Sequence, residues 1–107
     1  MLPQARVQVP ATARPGETFL VKTISNHRME TGLRQDEGGN TIPRKIINKF
    51  SCRFNGEVVF SVDLHEAFAA NPFIEFYLRA TQSGRLAFIW EEDGGQVYRL
   101  EHHLTVK

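Results

Sequence analysis

Apolar and polar residues alternate with a period of two through one short segment after another, and helical spacing is almost absent. A period of two sends successive side chains to opposite faces of an extended strand, so the chain is committed to sheets. Residues 5–11 (ARVQVPA) put Val7 and Val9 on one side. After the turn ARPGE, residues 17–25 (ETFLVKTIS) alternate Phe19 and Val21 with Leu20 and Ile24. Apolar residues on both faces mark that strand as central in its sheet.

Further along, KIINKFSCRFN (45–55) and EVVFSVDL (57–64) flank Asn55-Gly56, the dipeptide that most strongly signals a tight hairpin. The first places Phe50, Cys52 and Phe54 on one face, and the second Val58, Phe60, Val62 and Leu64. HEAFAANP (65–72) breaks the alternation with three alanines and stops at a proline, which predicts a helical turn crossing between strands. Alternation resumes in FIEFYLRAT (73–81), in RLAFIWEE (85–92) with Leu86, Phe88 and Trp90 aligned, and in QVYRLEHHLTVK (96–107), with turns at Gln82-Ser83-Gly84 and Asp93-Gly94-Gly95. The expectation is an all-β immunoglobulin- or fibronectin-like antiparallel β-sandwich of about seven strands, one domain over residues 1–107, with a small barrel as the alternative.

At 107 residues, 41% hydrophobic and with eight phenylalanines, such a domain buries a core without covalent staples. A formal charge of +1 provides none of the cationic field that nucleic acids or anionic membranes require, so neither is expected as a partner. No apolar run reaches the ~18 residues of a membrane span, and MLPQARVQVP has neither the apolar region nor the cleavage site of a signal peptide. On those grounds alone the chain reads as cytoplasmic. Cys52 is the single cysteine, which excludes an internal disulfide and a cysteine-based zinc site within the chain. Between Phe50 and Phe54 on one strand face, it reads as a small buried hydrophobe.

Signatures of catalysis are missing: there is no Gly-x-Ser-x-Gly elbow, no phosphate-binding glycine loop and no His-Glu-x-x-His. Glu91, Glu92 and Asp93 beside Gly94-Gly95 read as a solvated hairpin tip. His102 and His103 are neighbours in a strand and point to opposite faces, so they do not converge on one ion. His102, on the apolar side, reads as a hydrogen-bonded histidine and His103 as an exposed one. His27, Met29 and Glu30 match no standard ligand constellation. Neither a catalytic residue nor a metal or cofactor is therefore expected.

The remaining feature is the long connection 26–44, which holds Met29 and Leu33 in a polar stretch, two arginines, and Gly32 and Gly38-Gly39 for sharp turns. Long connections on a rigid scaffold commonly carry function, and Met and Arg are enriched at protein interfaces. Docking is one reading of this loop. The other is that Met29 and Leu33 plug one end of the sandwich.

The same loop carries a family likeness. HRMETGLRQDEGGNTIP (27–43) resembles the signature of the SoxZ family, His-Pro-Met-Glu-Thr-Gly-Leu-Arg followed by an acidic-glycine turn and Ile-Pro, with Arg28 standing where the family has proline. IINKFSCRFNGEVVF, NPFIEFYLRA and WEEDGG extend the resemblance over most of the chain. It implies a noncatalytic subunit of the sulfur-oxidising Sox system that pairs with SoxY to form the SoxYZ carrier of covalently bound sulfur intermediates. It also implies transient contact with other Sox enzymes through that carrier, and self-association when the subunit is made alone. The Gly-Gly-Cys-Gly-Gly arm belongs to SoxY, and here the sequence ends LTVK. The resemblance further moves the expected compartment to the periplasm, reached by export with the signal-bearing partner. The docking residues it points to are Met29, Glu30, Thr31, Gly32, Leu33 and Arg34. A stand-alone immunoglobulin-like binding module is the alternative.

Overall fold

The computed structural model describes residues 4–26, 33–42, 46–64 and 73–107. The described residues form eight strands: β1 (Gln4–Gln8), β2 (Thr12–Ala13), β3 (Thr18–Asn26), β4 (Ile47–Phe54), β5 (Glu57–Asp63), β6 (Phe73–Arg79), β7 (Gly84–Glu92) and β8 (Val97–Val106). They form a three-stranded sheet in the order β1-β3-β6 and a five-stranded sheet in the order β2-β8-β7-β4-β5. The expected all-β sandwich is the fold, with two separate sheets in place of the alternative barrel. β3, apolar on both faces, sits between β1 and β6 as its pattern requires. The helical turn expected over 65–72 lies outside the described residues.

The strand expected over 5–11 ends at Gln8, and a second, two-residue strand that the alternation did not signal follows at Thr12–Ala13. Proline has no amide hydrogen to give to a ladder, and Pro10 ends β1's pairing with β3. The chain then crosses to the other sheet, where β2 pairs parallel with β8, Thr12 opposite Thr105 and Ala13 opposite Val106. Among the described strands every other pairing is antiparallel.

The core lies where the inner faces of the two sheets meet. Phe50, Cys52, Leu86, Phe88, Trp90 and Leu104 from the larger sheet and Phe19, Val21, Ile74 and Phe76 from the smaller are buried together. The sheets are bridged by aromatic rings: Phe76 stacks on Phe60 at 4.2 Å and packs tilted against Phe50 at 6.0 Å, and Phe50 in turn meets Trp90 at 5.3 Å. Rings at these separations add directional attraction to the area they remove from water.

The Asn55-Gly56 hairpin forms as expected. Both residues have positive φ, 52° and 87°, the combination a type I′ turn needs. On β5, however, the register shifts by one residue: Cys52 faces Phe60 but Arg53 faces Val58, leaving Val59 as the extra residue of a bulge. Simple alternation would keep Val58 beside Phe60 and Val62 on the inner face. The bulge sends it to Arg53's side instead, where it is 50% exposed, while Leu64 at the other end of the same run stays buried.

Candidate docking loop and the surfaces around it

Of the residues expected to dock, Met29, Glu30, Thr31 and Gly32 lie outside the described residues. Leu33 and Arg34 are described, and both are exposed. From there the backbone closes on itself. Ile42 N donates to the Arg34 carbonyl at 2.8 Å, Gln35 bridges to Thr41, and Asp36 N donates to the Asn40 carbonyl at 2.9 Å. The Asp36 carboxylate takes up the amides of Gly38 and Asn40, each at 2.9 Å, a local arrangement for which aspartate is suited. Residues 34–42 thus satisfy their own turn. Leu33, at its base, is 87% exposed. Leu33 therefore does not plug the end of the sandwich, and Met29, the other residue of that alternative, lies outside the described residues.

The hairpin tip at 91–95 differs from its sequence reading. Glu92 shares the inner side of β7 with Trp90 and is only 3% exposed. The Tyr98 hydroxyl lies 2.9 Å from Glu92 Oε2 and 2.7 Å from Gln96 Oε1. Burial, followed by the hydrogen bond to Glu92 and the charge of that carboxylate, holds the Tyr98 phenol above its ordinary pKa. Asp93 is half-buried and fastens the tip to the start of β4. Its carboxylate accepts from Ile46 N at 3.2 Å and from Asn48 Nδ2 at 2.9 Å, while its own amide donates to the Ile46 carbonyl at 2.9 Å. A carboxylate run beside Gly-Gly does not reveal this, because the partners are more than 40 positions away.

Cys52 has no exposed surface, and burial pushes its thiol up to about 12. A thiol so far from its thiolate is neither a ready nucleophile nor a ready metal ligand at neutral pH. His102 is half-buried with Nε2 3.4 Å from the Pro10 carbonyl, and His103 is exposed on the other face, as their positions in the alternation require. Among the described residues, no three His, Cys, Asp or Glu side chains converge as a metal site.

The outer faces of the two sheets differ in chemistry. On the three-stranded sheet, β6 turns Phe73 and Tyr77 outward, 54% and 69% exposed, opposite Ile24 and Leu20 of β3, with Lys22 facing Glu75 between the two pairs. The signal for this was present in FIEFY, where aromatic residues occupy the outward positions as well as the inward one. On the five-stranded sheet the outer face carries Arg53, Arg85, Arg99, Glu101 and His103 around Ala87.

The model of the family described as sulphur oxidation protein SoxZ matches residues 7–103. The chain belongs to the SoxZ family. No curated protein sequence matches it. Among solved structures, superoxide reductase (neelaredoxin) from Ignicoccus hospitalis superposes with a TM-score of 0.77 at 16% identity, covering 98% of this chain and 82% of that one. The sulfur carrier protein SoxY from Chlorobium limicola f thiosulfatophilum superposes with a TM-score of 0.64 at 18% identity, covering 96% and 78%. At these identities both likenesses speak to the sandwich fold alone. Membership of the SoxZ family places the chain in sulfur oxidation.

Proposed function

We propose that the chain is the noncatalytic partner subunit that binds SoxY, forming with it the periplasmic carrier of covalently bound sulfur intermediates. The observation that carries this reading is the SoxZ family match across residues 7–103. The chemistry of the chain supports it: its cysteine is buried and its thiol is pushed up to about 12, which suits a subunit whose partner carries the covalent sulfur. No helix among the described residues is long and apolar enough to cross a membrane.

SoxY docks through the loop Met29, Glu30, Thr31, Gly32, Leu33 and Arg34. In support, Leu33 is held almost wholly in solvent at the base of a turn that satisfies its own backbone, so folding of the sandwich does not account for it. The interface continues onto the outer face of the three-stranded sheet, where Phe73 lies opposite Ile24, two residues before β3 ends at Asn26. Phe73 and Tyr77 are the aromatic anchors of that face, the residue types that dominate interface energies.

The test is co-expression with SoxY and purification through a tag on SoxY. Co-elution in equal amounts is expected, with the chain self-associating when made alone. Failure of the folded chain to be retained by SoxY would sink the reading.

A further inference from the structure

On the outer face of the five-stranded sheet, Ala87 of β7 lies opposite Arg53 of β4 on one side and Glu101 of β8 on the other. One step along the same face Arg85 lies opposite His103, and one step the other way Ile89 lies opposite Arg99. A small side chain ringed by long ones leaves a hollow. Here it is an open pocket of about 380 Å³ whose lining includes Ala87, Arg53, Arg85, Arg99 and His103.

The hollow is bounded by a hydrogen-bonded turn and by three guanidiniums with named partners. The Asn55-Gly56 turn closes one end: Arg85 N donates to Asn55 Oδ1 and Asn55 N donates to the Arg85 carbonyl, both at 3.0 Å. Arg53 Nη1 reaches the Gly56 carbonyl at 3.4 Å. Glu101 holds two of the guanidiniums, Arg99 at 3.1 Å and Arg85 at 3.4 Å. Three guanidiniums against one carboxylate leave an excess of two positive charges around one alanine. In a chain whose formal charge is +1, this concentration is local and not a consequence of a generally basic surface. The Glu101 side chain is 39% exposed and its arginine partners more so, so these pairs are screened and offset the guanidiniums only in part.

We propose that this pocket binds a small divalent tetrahedral oxyanion of the sulfate or phosphate type, with Arg53, Arg85 and Arg99 donating to its oxygens over Ala87. The guanidinium is the cation for this task, because its planar fork meets two oxygens at once. A doubly charged anion balances the excess of two.

The experiment titrates the full chain with sodium sulfate and separately with inorganic phosphate, at ionic strength held constant with sodium chloride. Binding is followed by calorimetry and by backbone amide shifts. Saturable binding is expected, with the largest shifts at Ala87, Asn55 and Gly56. Sulfate also stabilises proteins non-specifically by exclusion from their surfaces, an effect that grows without saturating, so saturation is the criterion. Arg53→Gln and Arg99→Gln each weaken binding by roughly tenfold, the size of one charge-assisted hydrogen bond. Ala87→Leu, which fills the hollow without removing a charge, abolishes it, and near-ultraviolet circular dichroism of Trp90 verifies that each variant is folded. A response that fails to saturate, or saturable binding that all three variants leave unchanged, overturns the proposal. So does the absence of any sulfate or phosphate signal; weakened retention of Arg53→Gln by SoxY in that case would make the patch a contact for a partner's carboxylates. The isolated chain suffices for the titration, so its outcome is independent of whether SoxY binds.

Discussion

Cys52 is the residue whose chemistry depends most on where the fold puts it. Flanked by Phe50 and Phe54 in sequence and opposite Phe60 and Phe88 across the sheet, it has no route to water. A thiol reagent should label the native protein far more slowly than the denatured one, and equal rates would contradict the burial. The raised pKa adds a second test. The unfolded thiol loses its proton near 9.0 while the folded one retains it to about 12. This contribution to stability is therefore complete below pH 9 and is lost as pH rises from there toward 12. Chemical denaturation at pH 8 and pH 10.5 should show a steeper loss for the wild type than for Cys52→Ala. Parallel losses would mean that Cys52 is not the group responsible. Alternation was enough to anticipate this residue. It was not enough for Glu92, whose inward position on β7 follows from the same period of two but whose charge argued for solvent.

Turns are joined to one another at one end of the five-stranded sheet, a feature of elements and not of single residues. Asn55 at the β4–β5 turn reaches into the β6–β7 connection, with Nδ2 donating to the Ser83 carbonyl at 3.5 Å and Oδ1 accepting from Arg85 N. Ser83 Oγ then accepts from Val106 N of β8 at 2.7 Å. Gly84 leaves room for this: a Cβ there would collide with the Asn55 side chain. Gly84→Ala should cost about 1–3 kcal/mol, as a bonded polar group is displaced. In Asn55→Gly, which keeps the positive φ, the same Gly84→Ala change should cost much less. A double-mutant cycle in urea reads the difference, and additive effects would show that the two residues do not meet. At the opposite end of the sheet Asp93 ties the β7–β8 tip to the start of β4. Asp93→Ala should lower stability by about 1–3 kcal/mol in the same assay, because two donors lose their acceptor. A loss within a few tenths of a kcal/mol would place Asp93 among ordinary surface residues.

For the whole molecule the question is what the loop and the outer faces serve. If Met29 to Arg34 dock SoxY, Met29→Ala with Arg34→Ala should weaken association by about 1 kcal/mol or more while the melting temperature holds. Unchanged retention by SoxY with a lowered melting temperature would assign the loop to packing. Phe73→Ser with Tyr77→Ser tests the adjoining face: self-association of the chain made alone should fall, and SoxY retention should fall with it. Retention that survives both changes would remove this face from the interface.

The sequence by itself determined the class of fold, the position of most strands, the Asn55-Gly56 turn and the inward faces of β6, β7 and β8. A period of two, β-branched and aromatic residues and turn dipeptides are local signals, and each acts within a few residues. It also carried the family signature in the loop. Tertiary structure alone decided the crossing after β1 that sends β2 to the second sheet, the bulge that turns Val58 outward, the burial of Glu92 and the fastening of Asp93 to the start of β4. It also decided the gathering of Arg53, Arg85 and Arg99 around Ala87. In each case the deciding contact joins residues of different elements, and no pattern read along one strand encodes what lies beside it.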